Sequence, residues 1–309
     1  VYVNPKDKRS HEIAESRALV HHAFGLAQSL GISTILVQVE VPGDFRAIES
    51  VRESENVLWL VRDPELRFEL RRGDSHIVIP DTGLTRLSQL NIALFRAVIE
   101  ERIALDESVV CLTGVVGSKR LDTLVIANPR RDFPWFRKRD LDATKTMVGS
   151  REFGRIIDIA LRLSSEGREG KAIGSMFVLG EPEELLPHLR QLILNPCEGH
   201  PRKLRSIHSE EFLETLREFS ALDGAFVVNM KGVVESAGTY IDAPAKKVKL
   251  SPGLGARHTA AASLTAHTNS VAVVISESSG CVTVFHDGRA ILELEKPKPV
   301  PRRRSSTNS

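Results

Sequence analysis

The chain has 309 residues, 41% of them hydrophobic and 27% charged, with a formal net charge of +2. That is the balance of a soluble globular protein long enough for about two domains, and so small a charge gives no reason to expect a polyanionic partner. No run approaches the roughly 18 apolar residues of a membrane span, and Val1-Tyr2-Val3-Asn4 lacks a secretory pattern. Cys111, Cys197 and Cys281 are too scattered for a zinc motif or a disulfide framework, which points to a reducing, cytoplasmic setting.

Ser16 to Leu30 carries Leu19, Val20, Ala23, Phe24, Ala27 and Leu30 at helical spacing, and Gly31 stops it. His21 and His22 on that helix are expected as surface or packing residues rather than metal ligands. Ile32 to Val39 is a β-branched run. Pro42-Gly43-Asp44 then turns the chain, and Asp44 caps a helix from Phe45 to Arg52. Val57 to Val61 and Ser75 to Ile79 read as buried strands, and Leu87 to Ile103 as a long amphipathic helix. Val109 to Leu112 and Leu121 to Ala127 are apolar runs that close the sheet. The alternation predicts a mostly parallel, helix-covered α/β sheet over residues 1–129. Between the last two runs, Gly114-Val115-Val116-Gly117-Ser118-Lys119 has glycines too close together for a phosphate loop, with Lys and Ser in reversed order. A tight turn is expected there.

Residues 130–150 are crowded with Arg130, Arg131, Arg137, Lys138 and Arg139, are broken by Pro134, and read as a linker. Beyond it, Phe153 to Leu163 predicts a helix, Ala172 to Leu179 a strand, and Glu183 to Leu194 another helix. Ser209 caps a helix to Leu222 with Phe212, Leu213, Leu216 and Phe219 on its apolar face. Val227 to Met230 and Gly232 to Ser236 form a hairpin, Val271 to Ile275 and Cys281 to Phe285 a later pair, and Ala290 to Leu294 the last strand. The expectation is a mixed-sheet α/β domain over 151–294. From Glu295 to Ser309 periodicity is lost, and a disordered basic tail holding Arg302-Arg303-Arg304 is expected.

Three islands in the second domain can point backbone at a ligand. Asp223-Gly224-Ala225 offers a carboxylate on a small-residue turn. Gly255-Ala256-Arg257-His258-Thr259-Ala260-Ala261 puts a cation and an imidazole at a helix start, where free N–H groups and the dipole favour phosphate. Ser276-Glu277-Ser278-Ser279-Gly280 adds an acid after an apolar strand. Together they suggest a metal–nucleotide site. Each also has a plainer reading: Asp223 as a turn residue, Arg257 and His258 as a surface cap, Glu277 as a solvated strand end.

The order and spacing of these pieces resemble the diadenylate cyclase domain, the catalytic unit of the DNA integrity scanning protein and its relatives. Glu169-Gly170-Lys171 before Gly174-Ser175-Met176-Phe177-Val178 looks like the family's E-G-K-x-x-G-x-x-F-V opening, and Asn195-Pro196 like its N-P turn. Asp223-Gly224-Ala225 carries its D-G-A signature, Gly255 to Ala261 parallels G-x-R-H-x-A-A, and Ser276-Glu277 its S-E. Residues 13–62 resemble the C-terminal α/β domain of pyruvate kinase in element order. The whole looks like the archaeal-type, two-domain cyclase. The scanning protein's helix-hairpin-helix extension has no counterpart, so no specific nucleic-acid binding is expected. Two departures stand out. Many relatives have R-H-R where this chain has Arg257-His258-Thr259, and S-E-E-T-G where it has Ser276 to Gly280. A Thr259 hydroxyl contact contributes about 1 kcal/mol where a charge-assisted one contributes about 1.5–3.

The resemblance implies condensation of two ATP into cyclic di-AMP with two pyrophosphates released. In it, Asp223 is metal ligand and activator and Glu277 a second ligand, for Mn2+ or Mg2+ with Co2+ as an alternative. Arg257 grips phosphate in a forked contact, and His258 orients the triphosphate. Thr259 and Ser276 add hydroxyl contacts, while Gly224, Ala225, Gly255 and Ala256 bring backbone close. Gly238 and Thr239, with Tyr240, border the adenine in a loop after the hairpin. One domain holds one ATP, so a homo-oligomer with facing domains is expected. The alternatives are a catalytically weak sensor of nucleotide or cyclic di-AMP, and a chain whose N-terminal domain serves assembly or effector binding.

Overall fold

The computed structural model describes residues 5–39, 56–62, 75–118, 120–132, 145–169, 171–244 and 255–298. The first apolar stripe forms α1 (Pro5–Leu30), whose end is marked by Gly31 at a φ of 65°, where a left-handed residue closes the helix. β1 (Thr34–Val39) follows at once. Its side chains alternate between faces: Ile35 and Val37 pack with Val20, Ala23, Phe24 and Ala27 of α1. Leu36 faces the other way, toward α2 (Arg86–Ile99) and the continuous core behind it.

β1 is joined by β2 (Asn56–Val61), β3 (His76–Val78), β4 (Val109–Thr113) and β5 (Thr123–Ala127) in a sheet ordered β3-β2-β1-β4-β5. Every pairing is parallel except β4 with β5. α2 starts at Thr85, whose hydroxyl accepts from the Ser88 N–H at 3.2 Å. The expected turn at Gly114 closes on itself: a Cβ there would lie 1.9 Å from the Arg120 carbonyl oxygen. Gly114 N–H bonds Gln38 at 3.0 Å and its carbonyl accepts from Gln89 at 3.1 Å, so the loop is filled by its own neighbours. The expected helix from Phe45 to Arg52, Lys119, and most of the expected linker lie outside the described residues. Met147 and Val148, near that linker's end, are buried in the shared core.

α3 (Arg151–Glu166) is capped by Ser150, whose hydroxyl accepts from Phe153 N–H at 3.1 Å. The second sheet collects β6 (Ser175–Leu179), β7 (Leu189–Gln191), β8 (Ala225–Val228), β9 (Val234–Ile241), β10 (Val271–Ile275), β11 (Val282–His286) and β12 (Arg289–Leu294). Their order is β12-β11-β10-β6-β8-β9-β7, with only β6 and β8 parallel. Phe177 and Leu179 face α3 and α4 (Glu210–Phe219); Met176 and Val178 face α5 (Ala256–Thr265). Both units draw on one apolar cluster running from α2 to α3 and the second sheet, with the Phe95 and Phe153 rings 6.3 Å apart across the seam.

Three sequence expectations are corrected. The helix predicted over Glu183 to Leu194 is one α-turn (Pro182–Leu185), one 3-10 turn (Leu186–His188) and then β7. Pro187 cannot donate to a continuing helix, and the next three residues pair with β9 instead. Gly238-Thr239-Tyr240 lies inside β9 rather than in a loop after it, because β9 runs on to Ile241 between two partners. Glu295 to Lys298, expected to begin a tail, is placed against the N-terminal unit: Lys298 N–H bonds the Gly83 carbonyl at 2.7 Å. His21 and His22 are exposed.

Candidate functional site

The three islands meet at one end of the second sheet, on the face covered by α5. Asp223 and Gly224 form the turn from α4 into β8. Gly224 has a φ of 105°, and a Cβ there would stand 2.6 Å from Thr239 N and 2.7 Å from Gly238 C. Only glycine lets the turn cross β9 so closely. The crossing lifts the Asp223 side chain into solvent, where it is 91% exposed. α5 begins on Gly255, which gives no side-chain cap bond, so no side-chain oxygen competes for an anion at the helix start. β10 ends at Ile275 and turns through Ser276 to Gly280. Gly280 N–H bonds Ser276 O at 2.8 Å, Ser276 N–H bonds Cys281 O at 2.9 Å, and Glu277 projects from the turn, 67% exposed.

Arg257, in the first turn of α5, joins the other two islands. Its Nη2 lies 3.3 Å from Asp223 Oδ1 and its Nη1 3.5 Å from Glu277 Oε2. Gly174 makes the space: a Cβ there would be 2.7 Å from Arg257 Nη1 and 2.9 Å from Glu277 Cβ. Around this group opens a cavity of about 1000 Å3, lined by Asp223, Gly224, Thr239, Gly255, Ala256, Arg257, His258, Ser276 and Glu277. Met176, Leu192, Ile241 and Ile275 give it an apolar side, and Tyr240 stands there with the Arg190 guanidinium 5.1 Å from its ring centre. The wall thus combines one guanidinium and three carboxylates (Asp223, Glu277 and Glu293) with apolar and aromatic surface, a mixture that suits a base joined to phosphates together with a cation.

His258 is buried, with its ring edge-to-face with Phe285 at 6.0 Å. Burial, helped by the Arg257 charge, holds its pKa below the ordinary imidazole value. It therefore faces the cavity as a neutral group at pH 7. Thr239 is also buried, its hydroxyl 2.7 Å from Ser236 Oγ and donating to Gln191 Oε1 at 3.1 Å. Ala225, Gly238 and Thr259 are not in the cavity wall. Ala225 packs in the core beneath α5, Gly238 lies against Ile193, and the Thr259 hydroxyl is directed to the Gly255 carbonyl at 3.5 Å. Tyr240, expected beside the adenine, is in the wall, and Gly174, Leu192, Cys281 and Glu293 belong to surroundings that sequence reasoning did not select as site residues. The signal was available for Gly174, inside the quoted opening motif.

Among the described residues no group of three or more His, Cys, Asp or Glu side chains could hold a metal ion. Asp223 and Glu277 remain as two carboxylates sharing one guanidinium. Two hard oxygen donors fit a cation such as Mg2+, which takes one or two carboxylates and fills its shell with phosphate oxygens and water. They do not fit a closed zinc site. Among the described residues, no helix is long and apolar enough to cross a membrane.

Residues 162–290 match the family described as DisA bacterial checkpoint controller nucleotide-binding (DAC), and residues 15–128 the family described as "Probable sensor domain DacZ_P". A protein of Methanocaldococcus jannaschii named diadenylate cyclase is 36% identical over 188 residues, covering 60% of this chain and 60% of the relative. One of Haloferax volcanii with the same name is 36% identical over 141 residues, covering 45% of this chain and 51% of the relative. The chain thus spans less than two thirds of the length of either relative. DacA of Staphylococcus aureus, solved as a double mutant, is 20% identical over 46% of this chain and 87% of its own, with a TM-score of 0.32. The two family matches lie in tandem along the chain, the DacZ_P match ahead of the DAC match.

Proposed function

We propose that the cavity binds ATP and that the protein is a diadenylate cyclase, joining two ATP into cyclic di-AMP and releasing two pyrophosphates. The observation that carries this reading is Arg257 standing between Asp223 and Glu277, at 3.3 and 3.5 Å, on the wall of a nucleotide-sized cavity. Its setting in a DAC domain supports it, as do relatives named diadenylate cyclase. In each half-reaction the 3′-oxygen of one ATP bonds to the α-phosphorus of the other. The bond from that phosphorus to the β-bridging oxygen breaks, and pyrophosphate leaves.

Asp223 accepts the hydrogen bond of the 3′-hydroxyl and directs its oxygen at the phosphorus; the released proton passes toward this carboxylate and solvent. Arg257 turns its fork to the phosphate oxygens. Neutral His258 offers a hydrogen bond without adding charge. The start of α5 at Gly255 and Ala256 stabilises phosphate through its dipole, and Ser276 adds a hydroxyl. Tyr240, Leu192 and Ile241 hold the base. A divalent cation, Mg2+ or Mn2+, would be held by Asp223 and Glu277 and would supply phosphate neutralisation and a lower hydroxyl pKa. With one Asp223 per cavity, two ATP molecules need two copies face to face. Positioning of that kind contributes on the order of 7–11 kcal/mol to lowering the barrier. Specific activity should then fall on dilution below the dimer constant. The three free cysteines, two of them buried, suit a cytoplasmic setting.

Purified protein incubated with ATP and Mn2+ should yield cyclic di-AMP on chromatography, and Asp223→Asn should not. Absence of product, with the two proteins indistinguishable, would end the proposal. A second reading, a nucleotide sensor with little turnover, is favoured by the two hydroxyl departures: Thr259 is directed at its own helix, and Ser278 Oγ lies 3.3 Å from Ser276 Oγ. Neither brings charge to a phosphate. Calorimetric binding of ATP or cyclic di-AMP without turnover would decide for it.

A further inference from the structure

The turn that carries Glu277 is tied at its far end to the N-terminal unit. Gly280 closes the turn with a φ of 71°, and a Cβ there would lie 2.5 Å from Lys296 Cδ and 2.8 Å from Lys296 Cγ. The Lys296 stem therefore lies flat over Gly280. From beneath, the buried Ser164 hydroxyl of α3 donates to the Gly280 carbonyl. The chain around Lys296 does not end there. Glu295 N–H donates to Ser88 Oγ at 2.9 Å, and Lys298 N–H to Gly83 O at 2.7 Å. Gly83 and Ser88 flank Thr85, the cap of α2, in the DacZ_P domain. The sequence explains the extended path. In Lys296-Pro297-Lys298-Pro299 each proline forces the residue before it away from helix, and Pro297 is buried.

We propose that Glu295–Lys298 is a strap through which the N-terminal unit positions the Glu277 turn, and with it the carboxylate that Arg257 holds. One end is fastened by two backbone N–H donors, Glu295 to the Ser88 hydroxyl and Lys298 to the Gly83 carbonyl, at the start of α2. The other presses on the glycine that closes the turn. A shift of α2 along its own axis, as when a ligand or partner settles on the first sheet, pulls the strap and moves Lys296 across Gly280. The cavity wall changes at Ser276 and Glu277, while Asp223, on a different turn, stays in place. Lys296 and Ser88 are positioning residues in this scheme; neither is in the cavity wall.

The test uses amide hydrogen exchange on the full chain without nucleotide, so its outcome stands apart from the cyclase reading. Ser88→Ala combined with Lys298→Pro removes the acceptor at one fastening and the donor at the other. Exchange should rise at the Glu295 amide and also at the Ser276, Gly280 and Cys281 amides, by about fivefold for each lost hydrogen bond. Exchange at the strands β6 and β8 should stay unchanged. Lys296→Gly cuts the strap at its other end. It should loosen 276–281 while the Glu295 and Lys298 amides keep their protection, and it keeps the test open if the double variant folds poorly. In both proteins ATP affinity should fall if Glu277 contributes to binding. Wild-type exchange at 276–281 in both variants overturns the proposal. So does unchanged protection at the Glu295 amide after both fastenings are removed, since the strap would then be held elsewhere.

Discussion

Arg86 in the N-terminal unit and Arg257 in the C-terminal unit each engage carboxylates, in opposite ways. Arg86 forks onto Asp122, with Nε 2.7 Å from Oδ1 and Nη2 2.5 Å from Oδ2, and Arg120 adds a third contact at 3.4 Å. The Asp122 side chain is only 13% exposed, and the hydrogen bond from Arg86 pulls its pKa down to about 2. Every acceptor position there is used. Arg257 reaches two separate carboxylates with one nitrogen each, at longer distances, and both acids stand largely in solvent. The closed pair fastens β5 to α2. The open group has donors and acceptors left over for a ligand. The same contrast separates the glycine turns: the one at Gly114 is filled by Gln38, Gln89 and Arg120, whereas those at Gly224 and Gly255 border a cavity. Spare hydrogen-bonding capacity at an exposed, pre-positioned group is what sets the proposed site apart from the closed pair.

Five substitutions sharpen or break this comparison, beginning with the strongest. Asp223→Asn should lower cyclic di-AMP formation by about 10^2–10^4-fold, measured by chromatography. Its melting temperature should be unchanged, because the side chain is exposed. Gly224→Ala meets both a left-handed backbone and the Thr239 backbone nitrogen at 2.6 Å. It should cost about 3 kcal/mol in a denaturant titration. Gly255→Ala, with nothing within 4 Å, should cost little. Arg86→Ala strands a mostly buried Asp122; with Arg86 itself 39% exposed, screening reduces the loss to about 2 kcal/mol. Because the folded pKa of Asp122 is depressed, that loss should be full above the unfolded value of about 4 and vanish as pH falls toward 2. Nucleotide affinity should survive this change. Arg257→Ala should do the reverse, weakening ATP binding in calorimetry without moving the melting temperature. A result in which Arg257→Ala destabilises the fold and Arg86→Ala spares it would undo the comparison.

The smallest effect concerns His258. Its folded pKa is depressed by burial, so its contribution to stability is present above pH 6.5 and lost as the pH falls through that value toward the folded one. Melting temperatures between pH 7 and pH 5 should therefore fall less steeply in His258→Gln than in the wild type.

Much of this was legible in the chain. Most apolar runs became strands close to where they were placed, although the strand expected over Gly232 to Ser236 runs from Val234 to Ile241 and the one expected from Ala172 starts at Ser175, and Ser209 and Gly31 cap or end helices as their chemistry dictates. The illegible parts share one cause. Leu189 to Gln191 has no strand signature of its own and becomes β7 because β9 has an open edge. Thr239 looks like loop chemistry beside Gly238, yet lies in a strand held from both sides. Glu295 to Lys298 has no periodicity and is placed by partners at Gly83 and Ser88. In each case a distant partner outweighs local preference.

Sequence alone determined which groups are present at each turn: a carboxylate before a glycine, an arginine and histidine on a helix start, an acid after a buried strand. These follow from local backbone chemistry and need no distant partner. Only the tertiary structure decided that Asp223 and Glu277 share one guanidinium, that Thr259 faces away, and that residues 295–298 reach the other unit. Those outcomes depend on strand order and on where glycines let backbones cross, and both are set by packing between parts of the chain that no local pattern relates.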